Sequence, residues 1–264
     1  MGGFCTLTKG PVFVFGPRAE GLLDIMPNHA RPMQFLTGIT RIDPGHPGLI
    51  MVLAQYDEAT FQPGLFAQRG ITLPHSIAAA TPRRQCEFLA GRALAAEVLA
   101  QLGEPWAEVG IAPDRRPVWP VGLAGSISHA RGFVACILGR CPGHHPGVDV
   151  ETLGRNQSVL AIRRIVLTEA ERVLLRDQNP TLTTLVFSAK ETLFKALYPM
   201  VGHHFGFEAA ELVALPGATT LTLRLTRDLA TRLPAGRSFA IACRSTADYV
   251  LTWLVVPLAG GEDC

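Results

Sequence analysis

Apolar residues bunch together in "GLIMVLAQYD" at 48–57, which reads as a buried strand. The 48 residues before it are rich in Gly, Pro and His and show little periodicity, so an irregular, wrapping arm with few regular elements is expected over 1–48. Further on the spacing turns helical. Leu89, Ala93 and Ala96 recur on one face, Thr81-Pro82 offers an N-cap followed by a first-turn proline, and Gly103 supplies a stop, which predicts a helix over 82–102. "GSISHARGFVACILG" at 125–139 then reads as a turn and a strand hairpin.

In "GVDVE" at 147–151 the period is two, so Asp149 and Glu151 share one face of a short strand and Val148 and Val150 the other. Thr168 and Glu171 form a capping-box pattern that opens a short helix. Asn179-Pro180 repeats the cap-plus-proline signal and predicts a helix from 180 to Tyr198, stopping before Pro199. A competing start at Ser188 would reduce Glu191 to a cap residue; Leu182, Leu185 and Val186 extend the helical pattern upstream and favour the longer helix. "TLTLRLTRDL", "RSFAIACRS" and "DYVLTWLVVP" alternate as strands joined by turns. A long helix followed by a hairpin therefore occurs at 82–139 and again at 180–257, which suits an α+β chain of two similar lobes about a pseudo-twofold axis.

With 264 residues, 48% hydrophobic and 17% charged, the chain can bury a sizeable core as one large domain or two packed lobes. Its 24 Lys and Arg against 22 Asp and Glu are too balanced for a general nucleic-acid binder, so any anion site must be local. Six cysteines without a CxxC pair point to reduced thiols, and Cys136, Cys141, His144 and His145 lack a standard zinc spacing. No charged-then-apolar leader opens the sequence, "MGGFCT" is only a loose myristoylation match, and the apolar runs are too short to span a membrane. A cytoplasmic protein with neither membrane nor nucleic-acid partner is expected.

Three carboxylates, Asp149, Glu151 and Glu191, converge only if the strand faces the helix. Hard oxygen ligands of this kind suit Mg²⁺, which keeps several waters and takes further oxygens from phosphates. Lys195 follows Glu191 by one helical turn, where an ammonium meets phosphate oxygens, although taken alone the two read as an ordinary surface pair. Arg84 and Arg92 share one broad side of the first helix, and Arg115, Arg116 and His129 lie near predicted element ends. No GxxxxGK[ST] or GxGxxG loop is present, and "GSISH", with Ser126, Ser128 and His129, is not a GxSxG nucleophile elbow.

"GVDVE" followed some forty residues later by "FSAKETLFK" closely resembles the paired signature of the larger, pseudodimeric class of 4'-phosphopantetheinyl transferases. "RRQCEFLAGR", "DRRPVWPVGLAGSISH" and "ALYPMVGHHFGFE" resemble its enterobactin-synthase-associated branch, and the likeness runs in order over roughly residues 50 to 215. The resemblance implies coenzyme A as donor, Mg²⁺ as cofactor and a serine of an apo acyl or peptidyl carrier protein as acceptor, with adenosine 3',5'-bisphosphate released. It places Asp149, Glu151 and Glu191 on the metal and Lys195 on the pyrophosphate. Arg84, Arg92, Arg115, Arg116 and His129 fall on the coenzyme A phosphates and nucleotide, with Ser128 and Lys190 beside them. Glu191, Lys195 and Asp149 carry the catalysis, with Glu191 or a metal-bound water as base. The implied division is an N-terminal lobe at 49–143 holding the nucleotide and a C-terminal lobe at 144–264 holding metal and catalytic groups, in a chain that works as a monomer. Phe187, Thr192 and His203-His204 depart from the common pattern, and the alternative is a non-catalytic carrier-protein or coenzyme A binding module of the same fold.

Overall fold

The computed structural model describes residues 35–105, 107–153, 156–175 and 179–258. Its strands are β1 (Leu36–Ile42), β2 (Leu49–Tyr56), β3 (Gly110–Ile111), β4 (Pro117–Val118), β5 (Ala124–Ala130), β6 (Phe133–Gly139), β7 (His144–Thr152), β8 (Ala210–Leu212), β9 (Thr220–Leu225), β10 (Ser238–Ser245) and β11 (Tyr249–Pro257). Its α-helices are α1 (Leu65–Gln68), α2 (His75–Ala78), α3 (Pro82–Gln101), α4 (Asn156–Val166), α5 (Glu169–Leu174) and α6 (Pro180–Val201). Antiparallel pairing gives one sheet in the order β1-β2-β6-β5 and a second in the order β7-β11-β10-β9-β8, an α+β arrangement.

Each sheet packs one long helix. Leu89, Leu94 and Leu99 of α3 join Val52, Val134 and Cys136 in one core cluster, and Leu193 and Leu197 of α6 join Leu223, Ile241 and Val250 in another. A third cluster, with Met51, Ile137, Val148, Val150 and Leu251, fills the space between the sheets. Cys136 and Cys141 belong to different clusters, and the four described cysteines are buried thiols.

The cap signals are realised as written in the sequence. Thr81 Oγ1 accepts from Arg84 N at 3.3 Å, and Asn179 Oδ1 accepts from Thr181 N at 3.0 Å, so α6 begins at Pro180 and not at Ser188. Two elements differ from expectation. β1 occupies part of the stretch expected to be irregular, because its backbone pairs with β2; residues 1–34 lie outside the described residues. Helix α6 runs through Pro199 to Val201, because a proline in the last turn removes only one helical bond and Gly202, at φ 75°, caps the end by donating to the Tyr198 carbonyl at 2.8 Å.

Helix α6 seats on β7 through a missing side chain. A Cβ on Gly147 would collide with the Thr192 carbonyl oxygen and sit 2.9 Å from Ala196 N, so only glycine lets the strand lie this close. Behind the contact, Thr252 Oγ1 of β11 bonds Ser188 Oγ at 2.9 Å and Thr192 Oγ1 at 2.6 Å, and Ser188 reaches the Asp149 carbonyl at 3.4 Å. These buried hydroxyls partner one another and fix the helix against the sheet at low cost.

Lys190 was expected beside the nucleotide and is instead a structural tie. It is buried among α4, α5 and the segment before β8, where Nζ donates to Glu171 Oε2 at 2.8 Å, Val166 O at 3.0 Å and Phe207 O at 3.1 Å. Glu171 completes the predicted capping box through Thr168 N at 2.8 Å and also accepts from Leu212 N at 2.8 Å. The reason is helical phase: Lys190 and Glu191 are neighbours in sequence and so point about 100° apart. Replacing Lys190 by Met leaves the Glu171 carboxylate buried without its cation. The expected loss is about 3–5 kcal/mol of stability in urea unfolding.

Candidate active site

Strand β5 sits at the edge of its sheet alongside β7, and its alternation separates two kinds of chemistry. Ser126 and Ser128 face β7, where Ser126 Oγ accepts from Val148 N at 3.2 Å and Ser128 Oγ donates to Asp149 Oδ1 at 2.7 Å. Ile127 and His129 face α3, and His129 Nε2 lies 2.8 Å from Arg84 Nη1. Ser128, expected among the nucleotide contacts, is thus a partner of the acid cluster.

On the α3 side a cavity of about 350 Å³ is lined by Arg84, Arg92, Arg115 and His129, together with Glu87 and Phe88. Arg92 stacks 4.6 Å over the Phe88 ring and donates to the Gly110 carbonyl at 3.0 Å, while its Nε is buried without a partner among the described residues. Burial brings its guanidinium down to about 10, so it stays charged at neutral pH. Arg115 reaches the cavity from the β3–β4 turn with φ 71°, a left-handed conformation that a non-glycine residue adopts at some cost. Arg116 is not among the lining residues. It pairs with Asp114 at 2.7 Å and stacks 5.0 Å over Tyr198, whose hydroxyl bonds the same carboxylate at 3.2 Å.

On the β7 side Asp149 is 2% exposed and meets Lys195 Nζ at 2.7 Å; Lys195 also donates to the Val148 carbonyl at 3.1 Å. Asp149 Oδ2 is buried with no partner among the described residues. Burial and then the Asp149 charge push the Glu151 carboxyl up to about 8, and burial raises Glu191 as well, against the pull of Lys195. His204 lies close enough for its charge to act on Glu191, beside a cavity of about 150 Å³ that Phe194 and Phe207 also line.

This arrangement differs from the expected three-carboxylate site. Among the described residues no three His, Cys, Asp or Glu side chains are already gathered as a set of ion ligands. Lys195 Nζ is engaged by Val148 O and Asp149 while its side chain stays partly exposed. The donor chemistry nevertheless fits a hard divalent cation. At the site one buried carboxylate oxygen lacks a partner among the described residues, and two further carboxylates are held back from ionising by burial and by Asp149.

The site is therefore an arginine-lined cavity and an acid cluster on opposite faces of one strand, and comparison with known proteins assigns both halves to one family. The profile of the 4'-phosphopantetheinyl transferase N-terminal domain matches residues 73–139, and that of the 4'-phosphopantetheinyl transferase superfamily matches residues 146–252. Enterobactin synthase component D of Escherichia coli (strain K12) is 34% identical over 142 residues, 52% of this chain and 67% of that one. The chain belongs to the 4'-phosphopantetheinyl transferase superfamily. Enterobactin synthase component D of Salmonella typhi is 34% identical over 158 residues, 58% of this chain and 65% of that one. The 4'-phosphopantetheinyl transferase Svp of Streptomyces mobaraensis is 36% identical over 155 residues, 56% of this chain and 62% of that one. These last two matches span less than two thirds of the relatives' lengths. The N-terminal domain profile covers Arg84, Arg92, Arg115, Arg116, Ser128 and His129, and the superfamily profile covers Asp149, Glu151, Lys190, Glu191 and Lys195.

Sequence reasoning missed Glu87 and the bonds of Glu171 beyond its cap. Glu87 was legible in principle, since it stands four residues after Arg83 and three after Arg84 on a predicted helix. The contact of Asp114 with Tyr198 spans 84 positions and carries no local signal.

Burial, with the charges of Arg84 and Lys195, holds the His129 imidazole below its ordinary range, against Glu87. A depressed histidine supports the fold above the unfolded value of about 6.5, and that support is lost as pH falls through its folded value. NMR titration of His129 is expected to place its midpoint under about 6.5, and His129→Gln is expected to lessen the drop in unfolding free energy between neutral and mildly acidic pH.

Proposed function

We propose that this chain transfers the 4'-phosphopantetheine group of coenzyme A to a serine of an apo acyl or peptidyl carrier protein, with Mg²⁺ as cofactor and adenosine 3',5'-bisphosphate as product. The observation that carries the reading is the placement of Ser128 and His129. Adjacent residues of one strand address an acid cluster and an arginine-lined cavity, the two environments that a metal ion with a pyrophosphate and a phosphorylated nucleotide would need. In this reading residues 49–143 hold the nucleotide and residues 144–264 hold the metal and the reacting groups. The halves are related by a pseudo-twofold axis, and the protein acts as a cytoplasmic monomer in siderophore or other secondary-metabolite assembly. No described helix is long and apolar enough to cross a membrane.

The carrier serine oxygen forms a bond to the β-phosphorus as the bond from that phosphorus to the bridging oxygen breaks. The bridging oxygen departs with the nucleotide as the 5'-phosphate of adenosine 3',5'-bisphosphate. Such a transfer depends mostly on positioning and charge neutralisation. Asp149, Glu151 and Glu191 would hold the metal ion, which when bound supplies neutralising charge to the pyrophosphate. Lys195 uses two of its three N–H donors on Val148 and Asp149 and offers the third to the leaving phosphate. Glu191, whose carboxyl is raised by burial, is the base for the serine proton once ionised. Arg84, Arg92, Arg115 and His129 grip the nucleotide phosphates.

The direct pairing of Asp149 with Lys195 favours a second reading, a non-catalytic carrier-protein or coenzyme A binding module. One experiment separates the two. Incubation with Mg²⁺, coenzyme A and an apo carrier is expected to raise the carrier's mass by one phosphopantetheine group, whereas an unchanged mass would leave only the binding module. In the same assay Glu191→Ala is expected to abolish transfer in a folded protein. Lys195→Met is expected to slow it by about 10²–10³-fold, the usual cost of one electrostatic contact to a transition state.

A further inference from the structure

Among the described residues lining the 350 Å³ cavity, Glu87 is the single acid, set in a largely neutral wall that also carries Arg84, Arg92 and Arg115. Its side chain is 13% exposed, with Oε1 accepting from Arg83 Nε at 3.0 Å and Oε2 standing 3.5 Å from Arg84 Nη1 and 3.7 Å from His129 Nδ1. Arg84 Nη1 also lies 2.8 Å from His129 Nε2. A guanidinium can only donate, so Nε2 accepts and the neutral ring carries its proton on Nδ1, the nitrogen nearer Glu87. Glu87 and His129 thus flank Arg84, and the carboxylate takes up part of the charge of Arg84.

The charge balance of the wall follows. Arg84, Arg92 and Arg115 against Glu87 leave two net positive charges around the cavity while His129 is neutral. A phosphate monoester carries about −1.5 to −2 at neutral pH and matches that balance, whereas a diphosphate exceeds it. Arg83 is not among the lining residues, yet it holds the other oxygen of Glu87. When an anion draws Arg84 away, the carboxylate therefore keeps a cation and is not stranded.

We propose that Glu87 is a specificity-determining residue that sets the charge of the anion this cavity accepts, matching it to one dianionic phosphate group and disfavouring anions of higher charge. The proposal rests on the cavity's reading as an anion site and not on the transfer reaction.

The test is calorimetric titration of the full chain with inorganic phosphate and with inorganic pyrophosphate, at low ionic strength and without metal. Relative to the unmodified protein, Glu87→Gln is expected to tighten pyrophosphate by about tenfold and phosphate by about threefold or less, since the added positive charge acts in proportion to ligand charge. Equal gains for the two anions, no gain, or a loss would overturn the proposal, as would an unmodified protein that binds neither anion. Arg83→Gln provides an independent arm even if the Glu87 variant fails to fold. Without Arg83 the carboxylate leans harder on Arg84, so both anions are expected to bind several-fold more weakly, and unchanged or tighter binding would overturn the proposal. No carrier or coenzyme A enters either arm, so a failed transfer reaction and a failed role for Glu87 are told apart.

Discussion

The contact of Lys195 with the buried Asp149 is the joint on which the site turns. Asp149 is almost wholly excluded from water and draws on three elements at once: its own strand β7, Lys195 of α6 at 2.7 Å and Ser128 of β5 at 2.7 Å. A carboxylate so placed is costly unless each oxygen is served, and here only Oδ1 is; Oδ2 has no partner among the described residues. That imbalance, together with the raised carboxyls of Glu151 and Glu191, makes the acid cluster short of positive charge while its neighbour across β5 is rich in it. Adjacent residues of β5 link the two, Ser128 bonding Asp149 and His129 lying against Arg84.

The surroundings of that joint are built to hold it still. Gly147 lets β7 press against α6, and the Ser188, Thr192 and Thr252 hydroxyls satisfy one another behind it. A turn away on α6, Lys190 locks α4, α5 and the approach to β8 through Glu171. Adjacent residues of one helix therefore meet different surroundings: Lys190 is spent on architecture, while Glu191 lies near Lys195 and Asp149. The polar groups that look alike in the sequence differ because helical phase points them at different neighbours.

Local signals explain what was readable before any coordinates. The caps at Thr81, Thr168 and Asn179 depend on residues within three positions, and all three appear as hydrogen bonds. The alternation in "GVDVE" put Val148 and Val150 on one face and Asp149 on the other, and the fold packs the two valines into the core. What stayed hidden is set by distant contacts. β1 is a strand because β2 pairs with it, Lys190 is buried because Val166, Glu171 and Phe207 surround it, and Arg116 turns from the cavity because Asp114 and Tyr198 hold it. The acidic residues suffer the same limit: spacing puts Glu191 and Lys195 one turn apart, yet only the fold decides that the ammonium takes Asp149 for its partner.

The central claim is that the two faces of β5 act on one ligand, so occupancy of the acid cluster by a divalent cation must be felt in the arginine-lined cavity. Calorimetric measurement of coenzyme A affinity with and without Mg²⁺, repeated on Asp149→Asn, tests this directly. The account predicts tighter binding with the ion in the unmodified protein and no such gain in the variant. Coenzyme A affinity that is indifferent to Mg²⁺ in the unmodified protein, or an undiminished gain in Asp149→Asn, would contradict it.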